Sequence, residues 1–115
     1  MPEIPWNEKR RTERIKINQP IPVHYELRPH GKYGDTVIQD ISEGGIKIIL
    51  DEFVPRLCRM AIQLNLFPER TTSAFCKISW LQNIPKSYRY QAGLEFIDIS
   101  LEGRSEIAEY VKLHK

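Results

Sequence analysis

Arg10 and Arg14 stand four positions apart in Arg10-Arg11-Thr12-Glu13-Arg14, a spacing that sets both side chains on one face of a helix or a strand. In extended chain their Cα atoms are about 13 Å apart, so two planar guanidinium forks can converge on a compact ligand from two sides. Lys9, Arg10, Arg11, Arg14 and Lys16 crowd into one short segment, diluted by Glu8 and Glu13, in a chain whose net charge is only +2. A local basic cluster in a nearly neutral chain points to a small anionic ligand rather than to long nucleic acid. A solvated charged segment is the other reading of this spacing. The second group is Asp40-Ile41-Ser42-Glu43-Gly44-Gly45, set between Thr36-Val37-Ile38 and Ile46-Lys47-Ile48-Ile49-Leu50. In a strand, Asp40 and Ser42 emerge on one face while Ile41 enters the core. The paired glycines permit positive φ, and Gly45 leaves no Cβ between the backbone and whatever approaches it. A carboxylate, a hydroxyl and open backbone amides are thus gathered at one turn. An Asx-type hairpin turn with no ligand is the competing reading.

The elements that must position these groups follow from periodicity. Residues 1–18 carry Pro2, Pro5, Trp6 and the basic cluster with no sustained apolar period, and are expected to form a mobile or loosely packed arm. From Ile21, the residues Val23, Tyr25 and Leu27 alternate with polar ones, predicting a strand with one wet face. Pro20 and Pro22 keep its start at an edge. Further strands are expected over about 34–40, 45–50, 60–66, 72–81 and 90–97. In the fifth, Ala74, Cys76, Ile78 and Trp80 share one face, and Phe75, Lys77, Ser79 and Leu81 the other. Gly93 marks a bend in a tightly curved sheet. Ser100 is the expected N-cap of a helix over 101–113, with Ile107, Tyr110 and Val111 at helical spacing. Six short strands and one terminal helix predict a mainly β fold, a six-stranded antiparallel barrel with the helix across one end, because closure removes edge strands. The organisation is an arm, 1–18, and a barrel with its helix, 19–115, together one domain.

The bulk properties narrow the function. Hydrophobic content of 41%, charged content of 28% and a mean hydropathy of -0.44 fit a soluble globular chain. No apolar run reaches membrane-spanning length and the N-terminus does not read as a signal peptide, so a cytoplasmic location and no membrane insertion are expected. Cys58 and Cys76 lie in apolar stretches without a CxxC partner and are expected to be buried, reduced thiols. His24, His30 and His114 show no metal-ligand spacing, so no metal and no cofactor are expected. Ser42 and Asp40 have no histidine in a predictable relation, which argues against a nucleophilic enzyme.

Taken together, Arg10-x-x-x-Arg14 followed by Asp40-x-Ser42-x-x-Gly45 resembles the PilZ domain, a bacterial receptor module for cyclic di-GMP. Arg10-Arg11 before a β run, Ile46-Lys47-Ile48 after the motif, Trp80 late in the fifth strand and Gly93-Leu94-Glu95-Phe96 in the sixth extend the resemblance over roughly residues 9–113. It implies a six-stranded β-barrel, no catalysis, and a ligand held between the arginine arm and the Asp/Ser turn. Arg10, Arg14, Asp40, Ser42 and Gly45 would form the cyclic di-GMP site, with Arg11 as an auxiliary contact. The chemistry agrees: arginine suits a phosphodiester or the O6/N7 edge of guanine, and an ionised aspartate suits the N1–H and N2–H₂ donor edge. Binding would order residues 7–17 against the barrel, and an unidentified downstream protein would read that change.

Two other readings remain at this level. One is a small barrel binding single-stranded nucleic acid, with Tyr25, Tyr33, Phe75 and Trp80 as stacking platforms; the basic residues sit in the arm, apart from the aromatics, and the aromatics alternate like core. The other is a PilZ-like protein-interaction adaptor that does not bind nucleotide, against which both motif pairs are intact. Trp6, Trp80 and Tyr90 are read as packing residues rather than as stacking partners.

Overall fold

The computed structural model describes residues 14–17, 19–29 and 31–114. The period-two segments become strands β2 (Pro22–Arg28), β3 (Lys32–Ser42), β4 (Gly45–Leu50), β5 (Arg59–Phe67), β6 (Arg70–Asn83) and β7 (Tyr90–Ile99), followed by helix α1 (Leu101–Leu113). Neighbouring strands run antiparallel in the order β3-β2-β5-β6-β7-β4, and β4 pairs back onto β3 to close a six-stranded barrel. The inward faces of all six strands form one core, including Val23, Ile41, Ile46, Ile48, Met60, Leu64, Cys76 and Leu94. Fold class and strand count are therefore as periodicity and resemblance implied.

A short additional strand, β1 (Ile15–Lys16), pairs with Ile41 and Asp40 of β3. Ile15 is buried, and the Ile17 amide donates to the Gln39 carbonyl. These residues fall in the segment expected to be loosely packed, and the structure instead holds 14–17 on the barrel. Two residues are too short a run to show a period, but one buried isoleucine and a few ladder hydrogen bonds suffice to fix them. Residues 1–13 of that arm lie outside the described residues.

Of the register shifts in the sheet, two decide which side chains face outward near the Asp40 and Trp80 positions. Between β3 and β4 the pairing shifts from Ile38↔Ile48 to Asp40↔Lys47, leaving Gln39 as the extra residue. Ile38 and Ile41 consequently both enter the core, and Asp40 between them points out. The register is enforced by burial: Ile41, Ile46 and Ile48 are fully buried, each stabilising the fold by about 1.5–3 kcal/mol, and a one-residue slip would expose all of them. On β6 the pairing shifts between Ile78↔Leu94 and Trp80↔Gly93, with Ser79 extra. Simple alternation put Trp80 on the core side with Ile78; the bulge turns it outward, where it is 38% exposed.

Ser100 caps α1 as expected, its Oγ accepting from the Gly103 amide at 3.0 Å. Ile107, Tyr110 and Val111 are buried on its inner face, and Tyr110 meets the Phe67 ring edge-on. The Thr72 hydroxyl donates to the buried Glu106 carboxylate and fixes the helix in rotation. No helix among the described residues is long and apolar enough to cross a membrane.

Cys58 and Cys76 are buried and free, as expected. Burial pushes the Cys76 thiol from its ordinary 9.0 up to about 12. Tyr25 and Tyr110 are shifted the same way, mainly by burial. In the unfolded chain the thiol ionises near its ordinary value, so this stability is intact below about pH 9 and is lost as pH rises toward about 12. Urea midpoints should fall across that window, and fall less steeply in Cys76→Ala. Parallel pH profiles for the two proteins would contradict the assignment to Cys76.

Candidate functional site

Three strands bring the polar groups together on the outside of the barrel. On β3, Asp40 faces out, with Lys47 of β4 directly across one edge and Lys16 of β1 across the other. Arg14 precedes β1 on the same face as Lys16, within diagonal reach of Asp40. The contact made is the diagonal one: Arg14 Nη1 donates to Asp40 Oδ1 at 2.5 Å, and Lys47 Nζ lies 3.3 Å from Oδ2. Asp40 is buried, 7% exposed, so its charge is shielded from water by the two cations that neutralise it. Arg14 is held in place rather than left to wander, its side chain still 43% exposed on the far side. Halves of the motif that are 26 residues apart in sequence are thus joined by one charge-assisted hydrogen bond.

Ser42 shares the outward face with Asp40 but does something different. It is fully buried, and its Oγ accepts from the amides of Gly44 and Gly45, at 3.2 Å each. This is a serine turn, which pins the two-residue Glu43-Gly44 loop and fixes where β4 begins. Ser42 thus ties the turn, whereas Asp40 takes no part in it. Neither paired glycine adopts positive φ; among the described residues the left-handed glycine is Gly31, at φ 73°. A Cβ on Gly45 would sit 1.9 Å from the Leu94 carbonyl oxygen of β7, so the glycine is required by the β4–β7 seam.

The Ser42–Gly45 turn, β6, β7 and α1 enclose an open cleft of about 610 Å³. Its walls include Arg14, Gly44, Trp80, Gly93, Glu95 and Arg104, with Ser42 and Glu43 at the turn. The Trp80 indole lies over Gly93, where a Cβ would come within 2.1 Å of its Nε1. Gly93 sits opposite the Ser79 bulge, as a bend would require, and also makes room for the indole. The cleft thus offers guanidinium groups from two elements, the Arg14 segment and α1, an aromatic face, backbone at Gly44 and carboxylates at Glu43 and Glu95. Such a set suits a ligand that is part anionic and part planar.

Of the residues singled out in the sequence, Arg14, Asp40, Ser42 and Gly45 are brought to one place. Arg10 and Arg11 lie outside the described residues. Asp40 stands behind Arg14 rather than on the cleft wall. Trp80 and Arg104 were not singled out as site residues. Trp80 was hidden by the bulge, which breaks the alternation used to place it in the core. Arg104 carried a usable signal, a cation in the turn just after an N-cap serine, where the helix dipole disfavours it.

Residues 8–113 match the family model described as the PilZ domain, and the chain belongs to the PilZ domain family. An uncharacterized protein of Aquifex aeolicus (strain VF5) is 34% identical over 114 residues, covering 95% of this chain and 51% of the relative. The chain therefore spans about half the length of that curated relative. Among solved structures, the PilZ domain of YcgR from Escherichia coli with c-di-GMP superposes with a TM-score of 0.70 at 15% identity, covering 92% of this chain and 91% of that one. The Bacillus subtilis inhibitor of motility, MotI/DgrA, gives 0.71 at 20% identity over 91% of this chain and 53% of its own. At these identities the likeness is one of fold, and it agrees with the barrel described above.

Proposed function

We propose that the chain is a receptor for cyclic di-GMP that binds its ligand in the cleft between Arg14, the Ser42–Gly45 turn and Trp80. The observation that carries this reading is the Arg14–Asp40 pair, which fixes a guanidinium group of the arm on the wall of that cleft. Family membership and the ligand named for the YcgR domain support the choice of nucleotide. Arg14 would meet a phosphodiester or the O6/N7 edge of a guanine, and Trp80 offers a face for a base. Arg10 and Arg11 would join from the arm, and Gly45 and Ser42 contribute by holding the turn. Asp40 positions Arg14 and, where the ligand reaches it, accepts from a guanine donor edge.

Binding, not catalysis, is the proposed activity. Ligand would draw residues 7–13 over the cleft, adding to the portion already fixed on β3. A protein touching the arm or α1 would read the change, in a reducing compartment such as the cytoplasm, to which two buried free thiols are suited.

Calorimetric titration of the 115-residue chain with cyclic di-GMP, with cyclic di-AMP and GTP as controls, should give saturable binding for the first alone. A micromolar complex corresponds to about 8 kcal/mol. Amide exchange in residues 7–13 should slow at saturation. No heat with cyclic di-GMP would overturn this reading in favour of a non-binding adaptor, and binding that strengthens with oligonucleotide length and collapses with salt would replace it with a nucleic-acid one.

A further inference from the structure

We infer that Arg104 of α1 is a ligand-binding residue, a second guanidinium lining the cleft with Arg14, which makes the helix part of the nucleotide site. This inference rests on the cyclic di-GMP reading above and adds to it a residue outside both arginine and aspartate–serine motifs. Arg104 stands in the turn after the Ser100 cap, its amide donating to the Ser100 carbonyl as the first helical hydrogen bond. Helical side chains lean toward the N-terminus, which carries this guanidinium back over the first turn, where it lines the same cleft as Arg14, Trp80 and Gly93.

Its position is poor for the helix. A cation near a helix N-terminus opposes the macrodipole, and the acidic residue of that turn, Glu102, is the favourable choice. Nor does Arg104 recover the loss elsewhere: it is exposed and forms no ion pair with a described carboxylate, although Glu43 and Glu95 line the same cleft. Glu95 is instead 3.5 Å from Lys77. An anion in the cleft would meet the Arg104 fork and supply the counter-charge that this arginine lacks among the described carboxylates. Cyclic di-GMP has two phosphodiesters, and Arg14, just before β1, and Arg104, on α1, line the same cleft from different elements. One guanidinium per phosphodiester would match the pair in number and charge, with each fork able to donate two parallel hydrogen bonds.

The test uses the unaltered chain, Arg104→Ala and Arg104→Lys, each titrated with cyclic di-GMP. Arg104→Ala should weaken binding about five- to thirtyfold, and Arg104→Lys should lie between, since lysine keeps the charge but loses the fork. The thermal midpoint of Arg104→Ala should be unchanged or slightly raised, as removal of a cation from that turn predicts. Independently of any variant, amide exchange in residues 101–107 of the unaltered chain should slow on saturation. Binding by the unaltered chain with Arg104→Ala within twofold of it, or unchanged exchange in 101–107 at saturation, would overturn the role of Arg104 and leave the receptor reading standing. No binding by the unaltered chain would overturn both.

Discussion

Asp40→Ala should weaken cyclic di-GMP binding by about tenfold to a hundredfold, and Arg14→Ala by a similar factor, with the two effects failing to add. The reason is the geometry of the pair. Asp40 is buried behind Arg14 and holds its Nη1 at 2.5 Å, while Lys47 takes the other carboxylate oxygen at 3.3 Å. Without the carboxylate, Arg14 loses its fixed position and both cations lose the charge between them. A charge-assisted hydrogen bond is worth about 1.5–3 kcal/mol net, which spans that range of affinity. The stability cost should be smaller, about 1 kcal/mol, because the two cations are partly solvated. If Asp40 acts through Arg14, the double variant should bind nearly as well as either single one, leaving a coupling energy above about 1 kcal/mol. Additive losses, within about 0.5 kcal/mol, would mean that Asp40 reaches the guanine on its own.

How far the sequence reached is clearest on β3 and β6. Alternation located every strand of the barrel, because a half-buried antiparallel strand has to repeat every second residue. It could not locate the bulges at Gln39 and Ser79, since an inserted residue leaves no composition of its own. On β3 the omission was harmless, because Ile41 set the parity of Asp40 and Ser42 locally. On β6 it reversed Trp80, and the aromatic wall of the cleft was lost from view. The motif residues were legible as a group, but their division of labour was not. Nothing in Asp40-x-Ser42-x-x-Gly45 distinguishes a carboxylate that holds an arginine from a hydroxyl that ties a turn. Those roles depend on β1, whose two residues carry no period, and on β7, which lies far along the chain and approaches Gly45.

That approach gives Gly45→Ala the largest expected effect on stability. The alanine Cβ would lie 1.9 Å from the Leu94 carbonyl oxygen, 3.0 Å from its carbon and 3.2 Å from Glu95 Cα. All three are backbone atoms, so no side-chain rotation relieves the clash; β4 and β7 must separate. The seam they form includes the pairs Gly45↔Glu95 and Ile46↔Leu94, and Ile46 and Leu94 are almost completely buried. Overpacking of a yielding core costs about 1–3 kcal/mol, and a rigid seam should cost at least the upper end of that. Against a total stability of about 5–15 kcal/mol this is a large fraction, lowering the thermal midpoint by roughly 10–20 °C. Gly31→Ala is the matched control, because its φ of 73° strains any side chain while nothing lies within 4 Å of the new Cβ. It should cost about 1–2 kcal/mol, well below the seam variant. A Gly45→Ala protein that melts with the parent yet binds cyclic di-GMP poorly would place this glycine against the ligand instead of against β7.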